Sequence, residues 1–156
     1  MTDEKLYPPR PEADWASCLP KFYPRKLSEN SIKIARYLID LAKEGAPPTT
    51  YLKTGGKIGL RQNSRVLFTH LGVLSWVAYR NENVFLSVLV TRQKEKTPGD
   101  DFFEMVAGFR EEPYQADNDS FTRECNLVYE AAKEEKLDFI LTGKTLKGSF
   151  PKTSLS

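Results

Sequence analysis

The sequence predicts a single α+β domain. Three observations carry that expectation. Apolar residues recur at three- and four-residue spacing over 31–44, 64–80 and 120–136, as amphipathic helices require. After Asn81-Glu82-Asn83 the apolar period changes from 3.6 to 2, as a strand requires. The length of 156 residues suits one domain, and 40% hydrophobic with 28% charged residues is a globular composition.

The elements follow in order. Residues 1–27 hold Pro8, Pro9, Pro11, Pro20 and Pro24, which predict an irregular arm. Tyr7, Trp15, Phe22 and Tyr23 suggest that part of this arm lies on the domain. The first helix is expected over 31–44, with Ile32, Ala35, Leu38, Ile39 and Ala42 as its stripe. Ser28, Asn30 and Ser31 are candidate N-caps, Gly45 is a suitable C′ residue, and Pro47-Pro48 stop the helix. A threonine of the Thr49-Thr50 pair can open a short second helix, weakened by Gly55 and Gly56, and Gly59 offers a turn. Asn63 or Ser64 can cap a longer helix over 64–80. Its expected stripe is Val66, Leu67, Leu71, Leu74 and Ala78, with Val77 beside it and His70, Val73 and Trp76 flanking.

Val84, Leu86, Val88 and Val90 alternate with Phe85, Ser87, Leu89 and Thr91, which predicts a covered strand. Thr97-Pro98-Gly99-Asp100 fits a type II turn, and Phe102, Phe103 and Met105 can supply a returning strand. A polar loop follows over 108–118. Ser120 or Asp119 can cap a last helix over 120–136, with Phe121, Cys125, Val128 and Ala132 buried. Leu137, Phe139 and Leu141 can make a short strand. The expected organisation is therefore an arm over 1–27, one domain over 28–142 and a flexible tail over 143–156.

Helix, short helix, turn, longer helix and hairpin, in that order, make a winged helix-turn-helix with an added C-terminal helix. In such modules the third helix can enter a major groove, and the hairpin loop can touch the DNA backbone. The charge distribution points the same way. From Gly45 to Asn81 there is no Asp or Glu, while Lys53, Lys57, Arg61, Arg65 and Arg80 give a local charge of +5. Bases at a turn and at a helix start stand where phosphates are met. From Asp100 to Asp138, twelve acids against four bases leave −8, a surface suited to a basic protein partner or to the +5 segment of a second copy. The overall +2 hides this segregation.

Thr50-Tyr51-Leu52 leading to Gly59, then Asn63-Ser64-Arg65-Val66 and a strand, resembles the DNA-binding domain of the alkyltransferase-like proteins over about residues 32–103. The resemblance implies that Tyr51 presses on the phosphate side of a nucleotide and that Arg65 intercalates. The family's Pro-Cys-His-Arg motif is missing near Phe85–Thr91, so alkyl transfer to a thiolate is excluded. The Tyr-to-Gly helix and Pro-Gly-x-x-Phe-Phe turn are also similar to uncharacterised small proteins of mobile elements, a group with no activity to carry over.

Enzymatic signatures are missing: no GxSxG elbow, no GxxxxGK[ST] loop and no GxGxxG fingerprint. With one His and two distant cysteines, Cys18 and Cys125, no Cys/His zinc site is expected. One disulfide is possible, although a reducing cytoplasm with two free thiols is the simpler reading. His70 reads as a packed or half-exposed side chain, and Cys125 as a small core residue. No apolar run reaches the length of a membrane span, and no secretory signal opens the chain. The sequence thus predicts a non-enzymatic, cytoplasmic protein without cofactor or metal that binds duplex nucleic acid. Its expected contacts are Tyr51, Lys53, Lys57, Arg61, Asn63, Arg65 and Lys94. The rival reading is an accessory or inhibitor protein of a mobile element that binds a protein through its acidic face.

Overall fold

Ser28 opens the first helix, α1 (Glu29–Lys43), by accepting a hydrogen bond from the Ser31 backbone N–H at 3.2 Å. This is the N-cap geometry that satisfies one otherwise unpaired donor. The computed structural model describes residues 19–20, 22–61, 64–94, 96–113 and 115–147. Past α1, Gly45 adopts φ +70°, the left-handed conformation in which glycine escapes a Cβ penalty. Next come a two-residue strand β1 (Thr49–Thr50), a short helix α2 (Tyr51–Gly56) and a long helix α3 (Arg65–Glu82). Thr50 caps α2 and Ser64 caps α3, so both helix starts expected from sequence are formed by local side-chain acceptors.

The stripe expected for α3 is too narrow. Leu74, Ser75, Trp76, Val77, Ala78 and Tyr79 are all buried, so the helix is covered all round along its second half. It packs between α1 and the segment that follows it. Val66, expected on the stripe, is 53% exposed. Val66 sits on the outer side of the first turn, whose inner side carries the fully buried Leu67.

The expected hairpin is not formed. Over Leu86–Leu89 the chain makes a 3-10 turn, and only Val90–Thr91 form a strand, β2. β2 pairs in parallel with β1, in the register Thr49↔Val90 and Thr50↔Thr91. The reason is that Leu86, Val88 and Leu89 are all buried, so the run has no outer face for a period of 2 to mark. The backbone closes on itself instead, with Val88 N–H donating to Phe85 C=O at 3.1 Å. Ser87 N–H donates to the Ser75 hydroxyl, which in turn donates to the Ser87 hydroxyl at 2.7 Å.

The expected returning strand is a helix, α4 (Asp100–Arg110). Phe102, Val106 and Phe109 are buried at helical spacing, with Phe103 and Met105 beside them. Gly99 has φ −67° as the helix N-cap, so it is not the positive-φ residue of a type II turn. The polar loop consequently starts after Arg110, not at 108.

Asp117 caps the last long helix, α5 (Asn118–Lys133), in place of Asp119 or Ser120, and accepts from Ser120 N–H at 2.9 Å. That bond, together with one from Gln115, holds the Asp117 carboxyl below the usual range. Cys125, Val128 and Ala132 are buried on α5, as expected. Asp138–Thr142 form a second 3-10 turn where a strand was expected.

Residues on both sides of the 28–142 stretch pack on it. Tyr23 and Leu27 belong to the core, and so does Leu146. Lys26 and Lys144 form an antiparallel bridge. Asn81 donates to Thr145 C=O at 2.8 Å and accepts from Lys147 N–H at 3.0 Å. Residues 143–147 are therefore tied to α3 by its polar C-terminal turn. Residues 148–156 lie outside the described residues.

The observed architecture is a helical α+β domain with a two-stranded parallel sheet. None of its described helices is long and apolar enough to cross a membrane.

Candidate nucleic-acid interface

The parallel pairing sets the geometry of the candidate site. Thr50 and Thr91 are register partners, so Tyr51 and Arg92 leave the same end of the sheet. Tyr51 begins α2, and Arg92 begins the loop that runs to Gly99. The two are fastened together, because Gly99 N–H donates to the Tyr51 hydroxyl at 3.3 Å. A Cβ placed on Gly99 would lie 3.3 Å from Arg92 Nη2, so the guanidinium rests against the same point.

α2 is held against α3 by close packing at Gly55. Leu60 N–H donates to Gly55 C=O at 2.8 Å. A Cβ on Gly55 would meet Leu60 O at 2.9 Å and Arg61 O at 3.2 Å. Ser64 then accepts from Val66 N–H at 3.1 Å and from Leu67 N–H at 3.4 Å, which starts α3. The ring of Tyr51 packs edge-on against Phe68 on the first turn of α3, at 5.5 Å and 90°.

The expected contact residues fall into three groups. Lys53, Lys57, Arg61 and Arg65 are exposed on α2, the turn and the first residue of α3, and Lys94 is exposed in the 92–99 loop. Lys57 Nζ stands 4.6 Å over the ring of Tyr37, which fixes one cation at the edge of α2. Tyr51 is half-buried, its ring packs against Phe68 of α3, and its hydroxyl accepts from Gly99 N–H at the end of the 92–99 loop. Asn63 lies outside the described residues.

Arg80, counted in the local +5, does not join the others. Fifteen residues of helix separate it from Arg65, a rise of about 22 Å. It lies instead near Tyr23, whose phenol burial pushes far above its ordinary pKa.

Sequence reasoning missed several members of this surface. Arg92 and Lys96 are exposed in the same loop as Lys94. The only signal for them was the loop itself, which the hairpin expectation already marked. Three large apolar side chains are also exposed here: Leu52 at 50%, Val66 at 53% and Phe68 at 37%. Val66 was expected on the buried stripe of α3, whereas Phe68 falls off that stripe and its position is the signal for its exposure.

The remaining titratable groups offer little chemistry. His70 Nδ1 shares a 2.7 Å hydrogen bond with the Ser31 hydroxyl, and burial lowers its pKa. Cys125 is buried and its thiol is pushed up to about 12, mainly by desolvation. Cys18 lies outside the described residues. No group of three or more His, Cys, Asp or Glu able to hold a metal occurs among the described residues.

The acidic half is partly neutralised from within. Arg110 forms a two-pronged pair with Glu124, through Nε to Oε2 at 3.0 Å and Nη2 to Oε1 at 2.8 Å. Arg123 reaches Glu112 at 2.5 Å and Glu124 at 2.8 Å. Lys136 pairs with Glu134 and Lys43 with Asp138. No family model, curated protein or solved structure matches the chain.

Proposed function

We propose that this protein is a non-enzymatic nucleic-acid-binding module. The binding face is built from α2, the turn after it, the first turn of α3 and the 92–99 loop. One observation carries the reading: Lys53, Lys57, Arg61 and Arg65 are all exposed on a stretch from Gly45 to Asn81 that contains no acid. Four cations on one acid-free stretch favour a polyanion over a neutral partner. Arg92, Lys94 and Lys96 extend the face from the other connection of the sheet.

In this reading α2 and α3 act as a helix-turn-helix pair, and the 92–99 loop takes the position of a wing. Arg61 and Arg65 approach the groove of a duplex, while Lys53, Lys57 and Lys94 meet phosphates. Tyr51 supports the face from behind. Burial of α3 from Leu74 to Tyr79 leaves the first half of the helix to face a groove. A cytoplasmic location belongs to the same reading.

The test is anisotropy of a labelled duplex across a salt series. With about four phosphates neutralised, log K should fall against log salt with a slope of about −3 to −4. Arg61→Glu with Arg65→Glu should abolish binding. No binding of DNA at low salt, whether duplex or single strand, would sink the proposal. A protein partner on the 100–138 segment is the weaker reading, because Glu112, Glu124, Glu134 and Asp138 already have basic partners.

A further inference from the structure

We propose that Phe68 is a stacking platform for an unpaired base, so that the preferred ligand of this face is single-stranded nucleic acid. The inference rests on the nucleic-acid reading above and names its ligand class.

Phosphate contact alone leaves the apolar side chains of the face unexplained. Leu52, Val66 and Phe68 are the large apolar side chains exposed on α2 and the first turn of α3. Val66 and Phe68 are two residues apart and leave α3 on different sides, so Phe68 is the aromatic surface considered. Phe68 is held in position, because Tyr51 packs edge-on against it and Tyr51 is itself fastened to Gly99. Arg65 lies three residues before Phe68, which places it on the neighbouring position of the same helix face. Arg65 and Phe68 thus set a cation and an aromatic ring side by side on one face of α3.

A stacked duplex can engage the cations of this face but leaves the ring of Phe68 unused. It hides the faces of its bases and presents phosphates and base edges. α3 is also buried from Leu74 to Tyr79, so its second half cannot lie along a groove. A single strand supplies both features at once. Its phosphates meet Arg65, Lys53 and Arg61, and an unpaired base lies on the ring of Phe68, as in single-strand-binding surfaces generally. Charge complementarity favours a polyanion, because Lys53, Lys57, Arg61 and Arg65 are exposed on a stretch without acids.

The experiment compares three probes in low salt: labelled oligothymidylate, an abasic strand of equal length, and the oligothymidylate–oligoadenylate duplex. Oligothymidylate should bind most tightly. Phe68→Ala should weaken oligothymidylate about 5- to 100-fold and leave the abasic strand unchanged, the range expected for loss of one stacked base. Phe68→Trp should restore the affinity, whereas Phe68→Leu should not; circular dichroism checks that each variant is folded. Equal affinity for oligothymidylate and the abasic strand, with no effect of Phe68→Ala, overturns this inference and leaves the phosphate-binding proposal standing. Binding of none of the probes overturns both. A dimer in light scattering that Phe68→Asp makes monomeric also overturns it, because the apolar face is then a contact between copies. Saturable binding of an acidic, aliphatic peptide with no binding of oligonucleotides overturns it as well.

Discussion

The hydroxyl of Tyr51 accepts a hydrogen bond from the backbone N–H of Gly99, 48 residues away in sequence, at 3.3 Å. The bond ties the start of α2 to the N-cap of α4. It closes the 92–99 loop against the same end of the sheet from which α2 departs. Tyr51, expected from sequence as a phosphate contact, thus also has a structural tie to the 92–99 loop.

The first prediction separates those roles. Tyr51→Phe keeps the ring against Phe68 and removes the hydroxyl. Stability should fall by about 1 kcal/mol, the ordinary worth of one hydrogen bond. Nucleic-acid affinity should change little. An affinity loss as large as that of an arginine charge reversal, measured on the folded variant, would return Tyr51 to the ligand.

Glu124 and Arg110 support a second prediction. Glu124 is fully buried, and the Arg110 side chain is 17% exposed. Arg110 also donates to Asn83 C=O at 2.7 Å and stands 5.1 Å from the Phe85 ring. Glu124→Ala would leave the guanidinium without its carboxylate, and removing one partner of a buried pair typically costs about 3–5 kcal/mol. Replacing both with Met and Leu should cost much less, because no unpaired charge then remains. Urea unfolding of the single and double variants measures the difference.

Adjacent glycines should respond with opposite signs. On Gly55 a Cβ would press on Leu60 O at 2.9 Å, and on Gly56 it would meet nothing within 4 Å. Gly55→Ala should destabilise by about 1–3 kcal/mol through overpacking of the α2–α3 turn. Gly56→Ala should stabilise by about 0.5–1 kcal/mol, since it lowers the entropy of the unfolded chain. Thermal melts of the pair decide this, and equal shifts would contradict the packing at the turn.

His70 and Cys125 make the pH and reactivity predictions. Burial lowers the pKa of His70, so the unfolded chain binds its proton more readily than the folded one. Stability contributed by the neutral ring is present above the unfolded value of about 6.5 and is lost as pH falls through the lower folded value. Wild type should lose stability from pH 7 towards pH 5, and His70→Gln should lose less over that window. The Cys125 thiol, with a pKa pushed up to about 12, should resist alkylation at neutral pH until the protein unfolds. Labelling followed by peptide mass analysis reads this directly.

Sequence alone determined the elements whose causes are local. The first three helices begin at Ser28, Thr50 and Ser64, because an N-cap needs only an oxygen two or three residues ahead of a free N–H. The buried stripe of α5 and the acid-free stretch from 45 to 81 are legible for the same reason: spacing and charge are properties of the chain itself. Tertiary structure decided the segment from 84 to 110. A strand needs a partner, and a run buried on every side carries no period that tells a strand from a turn, so Leu86–Leu89 closed locally and Phe102–Phe109 coiled. Long-range contact likewise assigned Tyr51 to Gly99 and Arg110 to Glu124. Those pairings depend on which faces the core has already covered, and no local pattern encodes that.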